Sequence, residues 1–399
     1  MQKKLIAVAV AGLMSGAAFA QSNVTVYGAM DLTWESIKSS GATNGAIDDQ
    51  KRTRLASNSS HIGFKGAETL GNGLTAVFQY ETGFTADDAG ALGGGRDTLI
   101  GVAGGFGTFA MGNLSGPVRT LGAKVDFNPG ASSAGFTGAA YGMLGGVKTG
   151  TDERSKNAVA YISPNFGGAT IIAAYQNGTP AADGMTVKKD SKAYTLGVTY
   201  AGGPVFVGVG YINAKNPTVA NPAAKYLLTG SATTTDAAVD ALLGAGTGAA
   251  LTAANDKLTN FRVAGVVSLA SGTSISALYD TQKYEASGIA EAKRAAMMFG
   301  VKQAFGANAV YGQYAFAKDI KGSICDIYTA VGSDCGSTGM KQFTVGFIHE
   351  MSKRTMVHAF YTKLSNEGNA GYDNYVNAVS IVGTGADNTV FGAGLRHTF

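Results

Sequence analysis

The sequence predicts an all-β protein, a transmembrane antiparallel β-barrel of about sixteen strands, on three observations. The chain opens on an export signature. No later segment approaches the ~20 consecutive apolar residues of a membrane helix. The remainder consists of short segments that alternate apolar with small or polar side chains at period two. Glycine makes up 58 of the 399 residues and charged residues only 15%. That composition suits a barrel wall, in which half of each strand faces lipid and half faces water.

At the N-terminus, Lys3 and Lys4 precede an apolar stretch over 5–14, and Ala18-Phe19-Ala20 supplies a small-x-small cleavage site. The apolar stretch is too short to span a bilayer. Residues 1–20 are therefore expected to be a removed signal peptide, leaving 21–399 as one barrel domain. Loss of Lys3 and Lys4 lowers the formal charge from +4 to +2, so bulk charge points to no polyanionic partner and no nucleic acid.

Alternation is plainest in three segments. Tyr194, Leu196, Val198 and Tyr200 alternate with Thr195, Gly197 and Thr199. Phe343, Val345 and Phe347 alternate with Gln342, Thr344 and Gly346, and Phe261, Val263 and Val267 with Asn260, Arg262 and Val266. The final run TVFGAGLRHTF puts Phe391, Leu395 and Phe399 on one side and Gly392, Gly394 and Arg396 on the other. Tight turns are expected at 70–73, 105–107, 164–168, 202–204, 271–273, 305–308 and 351–354. Long loops are expected at about 36–51, 85–95, 115–153, 178–192, 214–257, 285–293, 319–339 and 365–388. Short turns at one end and long loops at the other are the asymmetry of outer-membrane barrels, and about sixteen strands enclose an aqueous channel. The Ala- and Thr-rich stretch 213–260 reads as an outer loop with a short helix near 235–243. Trp34, Phe84, Tyr284 and Phe399, at strand ends, read as interfacial girdle residues.

Cys325 and Cys335 share one polar stretch, and in an oxidising compartment a disulfide closing this loop is expected. Two thiols without a nearby His make a poor zinc site, so no metal and no cofactor are expected. His61, His349, His358 and His397 fall in separate predicted strands, and there is no nucleophile elbow or P-loop. Asp48-Asp49 and Asp87-Asp88 lie in polar loops, where solvation rather than general acid–base chemistry is expected. The chain does not read as an enzyme.

The blocks SNVTVYGAMDL, SSHIGFKGAETLGNGLTAVFQYETGF, RDTLIGVAGGFGTFAMGN, RSKNAVAYISPNFGG and FGAGLRHTF, in this order, resemble the general diffusion porins of betaproteobacteria. The resemblance implies a homotrimer of sixteen-stranded barrels in the outer membrane of a Gram-negative cell, among lipid and lipopolysaccharide. It implies a third outer loop folded into the lumen and a terminal Phe399 read by the barrel-assembly machinery. Strands near both termini, with Met30 and Leu32, would pack the trimer. By the same resemblance the third loop is 113–153, carrying Arg119, Lys124, Asp126, Lys148, Asp152 and Glu153, with Asp126 as the acidic eyelet residue.

For the opposing basic wall, alternation puts Arg154 and Lys156 on the side of Ala158 and Ala160, and puts His61 and Lys65 inward beside lipid-facing Ile62 and Phe64. Arg96 matches a position where the family carries Arg. The family usually has Arg where this chain has His61 and Asn113, which weakens any strong anion selectivity. The expected function is passive diffusion of small hydrophilic solutes and ions with mild anion preference. A substrate-selective channel, or a barrel-anchored adhesin or enzyme, is the alternative.

Overall fold

Strand ends are set by the local turn chemistry. In the run Leu70-Gly71-Asn72-Gly73-Leu74, Gly71 pairs with Leu74 and the two residues between them have φ of 50° and 75°. Asn-Gly tolerates such a positive-φ pair, and the resulting turn matches the right-handed twist of the strands it joins. The computed structural model describes residues 23–43, 50–88, 90, 92–178, 191–216, 256–286, 290–326, 335–379 and 383–399.

The strands are β1 (Asn23–Ser40), β2 (Gln50–Ser57), β3 (His61–Gly71), β4 (Leu74–Gly83), β5 (Gly94–Gly104), β6 (Gly107–Ser115), β7 (Met143–Leu144), β8 (Val147–Lys148), β9 (Arg154–Ile162) and β10 (Ala169–Asn177). They continue as β11 (Lys192–Gly202), β12 (Val205–Lys215), β13 (Lys257–Ser268), β14 (Thr273–Ala286), β15 (Ala290–Phe305), β16 (Asn308–Ala317), β17 (Met340–Glu350), β18 (Thr355–Asn366) and β19 (Asp387–Thr398). Each of the seven expected tight turns joins two neighbouring antiparallel strands, and the strand ends that bound the expected long loops lie at the opposite end.

The sheet closes where β1 pairs with β19, from Ala29 opposite Thr398 to Ser40 opposite Asp387. The other edge of β1 is shared: β3 covers its first part, to Ala29 opposite His61, and β2 its second, from Leu32 opposite Ser57. Seventeen described strands thus fill the sixteen positions of a closed barrel, because β2 and β3 are one wall position broken at 58–60. Ser59, at φ 55°, turns the chain out of the ladder there. Closure leaves no sheet edge unpaired in lipid.

The outer and inner faces follow the alternation. Tyr194 and Leu196 are 54% and 51% exposed while Thr195 between them is 7% exposed; Phe343 and Val345 are exposed around a buried Thr344. Tyr284 departs from the girdle expectation. It sits on the inner face between Leu258 and Ala292 and donates its hydroxyl to Asp256 at 2.7 Å. Alternation places it with Gln282 and Asp280, so its position near a strand end was a poor guide.

Among the described residues no helix is long and apolar enough to cross a membrane. The two α-helices that bear on the channel, α1 (Pro117–Val125) and α2 (Gly138–Gly142), both lie in the connection between β6 and β9, as does the hairpin of β7 and β8. The expected signal peptide and the short helix near 235–243 lie outside the described residues. Cys325 and Cys335 are joined by a disulfide with a Cα–Cα distance of 5.3 Å. Thiol titration of the denatured, unreduced protein should therefore find no free thiol and, after reduction, two; two thiols before reduction would refute the bridge.

Candidate constriction site

The connection 116–153 is folded against the inner wall, and the wall's own sequence makes room for it. Proline at the first turn of α1 starts the helix without wasting a donor, and Val118, Leu121 and Val125 form its buried stripe. They lie on Gly208 and Gly210 of β12. A Cβ added at Gly208 would stand 2.5 Å from a Leu121 methyl, and one at Gly210 would stand 2.9 Å from Val118. Alternating glycines on the inner face therefore provide the floor on which α1 rests. Farther on, Phe136, Ala140, Tyr141 and Met143 pack with Leu278, Met298 and Met340 of the wall and with Tyr372 and Tyr375 of the last long loop.

Polar groups then fix the loop to β13, β14 and β15. Arg262 is fully buried and holds both oxygens of Asp152, at 2.8 and 2.7 Å, in a bidentate fork. Its Nε reaches Asp280 at 2.8 Å, and its remaining hydrogens go to the carbonyls of Val118 and Tyr141. Arg294 binds Asp280 and the carbonyls of Ala140 and Tyr141, and Gln282 donates to the same Tyr141 carbonyl at 2.6 Å. On β17, Gln342 and Thr344 donate to the carbonyls of Phe136 and Gly135. These contacts span more than a hundred residues of sequence. Only the alternation that put Arg262, Gln342 and Thr344 on the inner face hinted at them, and nothing in the sequence singled out Gln282.

Asp126 requires a correction. It is not a group facing an eyelet but is buried, accepting from the Asn128 N–H at 2.8 Å, the Thr137 N–H at 3.0 Å, the Thr137 hydroxyl at 2.6 Å and Gln313 at 3.0 Å. Burial pushes its carboxyl pKa up while those donors restrain the rise. Its short side chain ties the two halves of the loop to β16, a role that sequence spacing does not reveal. With Asp152 held by Arg262, both loop aspartates are withdrawn from solvent.

The loop groups that keep solvent contact are mainly cationic. Arg119 and Lys124 are half-buried and Lys148 is exposed. Arg119 donates to the Asp152 carbonyl, Lys124 lies over the Phe206 ring at 5.6 Å, and Lys148 lies over Tyr375 at 4.4 Å. Burial lowers the Lys124 pKa from its ordinary value. Glu153 is also exposed and accepts from the Tyr375 hydroxyl at 3.1 Å.

Across the barrel, on β1, β3, β4 and β5, the structure brings His61, Lys65 and Arg96 into one cluster. Arg96 is ion-paired with Glu81, His61 Nε2 is 3.9 Å from the same carboxylate, and Tyr27 donates to it at 3.1 Å. Lys65 lies over the Tyr27 ring at 5.2 Å. Glu81, which the sequence did not single out, thus offsets part of this cationic group. Arg154 is paired with Asp97 at 3.0 Å, apart from that carboxylate.

Lys156 requires a second correction. The β6–β9 register shifts between Gly112 and Leu114, so Lys156 and Asn157 oppose a single residue, and Asn157 has φ 51°. A bulge breaks alternation, and the inference from Ala158 to Lys156 and Arg154 does not pass through it. Phe399 ends the chain in register, exchanging backbone hydrogen bonds with Gly28 at 3.1 Å.

A closed sixteen-position barrel with an inward connection pinned to one wall is the architecture of an outer-membrane channel protein. Residues 7–369 match the family model described as Gram-negative porin, and the chain belongs to that family. Membership in it makes the chain an outer-membrane protein of Gram-negative type. It is 35% identical over 169 residues to the major outer membrane protein P.IB of Neisseria gonorrhoeae, covering 42% of this chain and 46% of that protein. The chain spans about half the length of the curated relatives it matches. Its fold is similar to an anion-selective porin from Comamonas acidovorans, with TM-score 0.69, 21% identity, and 95% and 100% of the two chains covered. A trimer form of OmpT, an outer membrane protein of Vibrio cholerae, matches with TM-score 0.63 and 17% identity over 95% and 99% of the two chains.

Proposed function

We propose that this protein is a general diffusion channel for small hydrophilic solutes and ions, with mild preference for anions. The observation that carries the reading is the 116–153 connection. It is fixed along one inner wall by Arg262, Arg294, Gln282 and Gln342, and so narrows the lumen without ligand chemistry of its own. The preference for anions rests on the withdrawal of Asp126 and Asp152 from solvent, while Arg119, Lys124 and Lys148 on the loop and Lys65 on the facing wall remain. Low-dielectric walls focus the field of such groups on a passing ion. The preference is mild because Glu81 compensates Arg96 and Asp97 compensates Arg154.

The same reading takes the working unit to be a homotrimer, with Met30 and Leu32 of β1 at the contact, inserted by the barrel-assembly machinery through Phe399. Residues 1–20 act as the export signal and 21–399 as the barrel. The trimer form of the similar OmpT structure supports this assembly.

Reconstitution in a planar bilayer under a salt gradient tests the function. Large steps closing in thirds and a reversal potential on the anion side are expected. Lys124→Glu with Lys148→Glu should move that potential toward the cation side at nearly unchanged step size. A folded, heat-modifiable barrel that forms no channels would refute the diffusion reading, and an unmoved potential would refute the role of the loop cations.

A further inference from the structure

The chain has four histidines, and one of them faces the lumen within reach of water. His349 and His397 lie on the outer face near the tight turns, bonded to Asn308 and Thr355 at 2.9 Å each. His358 is buried on the inner wall against Asp31. His61 lies on the inner face of β3, and its side chain is 13% exposed. Imidazole is the side chain whose ordinary titration falls between roughly pH 5 and 8. A histidine in the lumen is therefore a place where proton concentration changes the field that a passing ion meets.

The neighbours of His61 decide which of its nitrogens is open. Nδ1 lies 2.9 Å from the Ser59 carbonyl, which can only accept, so Nδ1 carries the hydrogen of the neutral ring. Nε2 is then the bare nitrogen, and it faces Glu81 Oε2 at 3.9 Å. A proton taken up from the lumen goes to Nε2 and points at a carboxylate. The break between β2 and β3 supplies this arrangement, because Ser59, at φ 55°, brings its carbonyl onto the ring two residues later.

Charged and titratable groups reach the ring from five strands. Glu81 of β4 is paired through Oε1 with Arg96 of β5, and its Oε2 accepts from Tyr27 of β1 at 3.1 Å. Glu81 attracts a protonated ring, while Arg96 and Arg396 of β19 repel it. Arg396 is itself paired with Asp31, which also faces His358. Lys65, four residues farther along β3, holds its ammonium over the Tyr27 ring. With His61 neutral, Lys65, Arg96 and Glu81 leave one net positive charge on this wall; with His61 protonated they leave two.

We propose that His61 sets how strongly the channel prefers anions, as a cation that is absent at neutral pH and present in acid. The proposal rests on the channel reading above and adds to it a dependence on the pH of the medium. One further charge about 8 Å from the ion path, in water at ~0.1 M salt, raises the ratio of anion to cation permeability roughly twofold. Lysine and arginine ordinarily do not titrate between neutral and mildly acid pH, so the remaining lumen cations give the baseline and His61 the response.

The test is the reversal potential of the full-length protein in a planar bilayer under a potassium chloride gradient. It is read at about pH 7.5 and at about pH 5, the latter still above the ordinary carboxylate range. In the parent the permeability ratio should rise roughly twofold toward acid. His61→Gln should match the parent at neutral pH and lack the rise, whereas His61→Arg should hold the acid value at both. Step size and heat-modifiability report that each variant is folded. Equal potentials of the parent at the two pH values would overturn the proposal. So would a rise that survives in His61→Gln, which assigns the titration to another group. A His61→Arg channel identical to the neutral parent would overturn it too, by showing that passing ions do not feel this position. Absence of channels, or cation preference at neutral pH, refutes the reading on which the proposal rests and removes the proposal with it. A flat response in a channel that does prefer anions refutes the proposal alone.

Discussion

Arg262→Ala is expected to release the constricting loop from its wall. The guanidinium is the shared partner of Asp152 and Asp280 and supplies donors to two loop carbonyls, all without solvent contact. Removing it leaves Asp152 without its counter-charge in a dry site and leaves Asp280 with Arg294 as its remaining guanidinium. Breaking a buried pair by deleting one partner costs about 3–5 kcal/mol. The barrel should still close, because its backbone ladder does not pass through the loop. Conductance should become noisy and variable in step size, and limited proteolysis within 116–153 should appear. Arg262→Lys keeps the charge but not the planar fork and should fall between the two. A variant with quiet, parental steps and an intact loop would show that apolar packing of Leu121, Phe136 and Tyr141 alone holds the loop.

Asp31→Ala should lower the stability of the whole barrel. Asp31 faces inward on β1 beside the closure seam and is fully buried. Its carboxylate binds Arg396 of β19 at 2.9 Å, His358 of β18 at 3.3 Å and Asn58 at 2.9 Å. Its backbone meets the Asn58 N–H and the Ser60 hydroxyl, which fixes the break between β2 and β3. Asn58 in turn accepts from Ser132 of the constricting loop and from Asn377 of the last long loop. One side chain thus couples closure, the broken strand and two loops. Its removal strands Arg396 and His358 and should cost about 3–5 kcal/mol. The heat-modifiability transition should move to lower temperature, with Asp31→Asn intermediate because it keeps a hydrogen-bonding acceptor. An unchanged transition would show that the β1–β19 ladder closes the barrel without this cluster.

Both variants probe contacts that a single strand cannot announce. Strand parity, turn positions and loop lengths were legible because each depends on neighbours along the chain. The Asn72-Gly73 reversal needs only its own φ angles, and the exposure of Tyr194 and Leu196 needs only period two. His61, Lys65 and Arg96 were reached in the same way, from alternation and from resemblance, and they lie together. Asp126 was misplaced because its surroundings come from Thr137 and Gln313, eleven and 187 residues away. Lys156 was misjudged because one inserted residue at the β6–β9 pairing resets the alternation, and the insertion is visible only when the partner strand is present.

The sequence by itself determined the closed barrel: period-two alternation selects strands with one lipid face, and a membrane permits such strands only when every edge is paired. The tertiary structure alone decided which charges face the lumen. A carboxylate is withdrawn or left in solvent according to whether a distant wall supplies donors for it, as Arg262 does for Asp152 and Gln313 for Asp126. Local pattern carries no record of that distance.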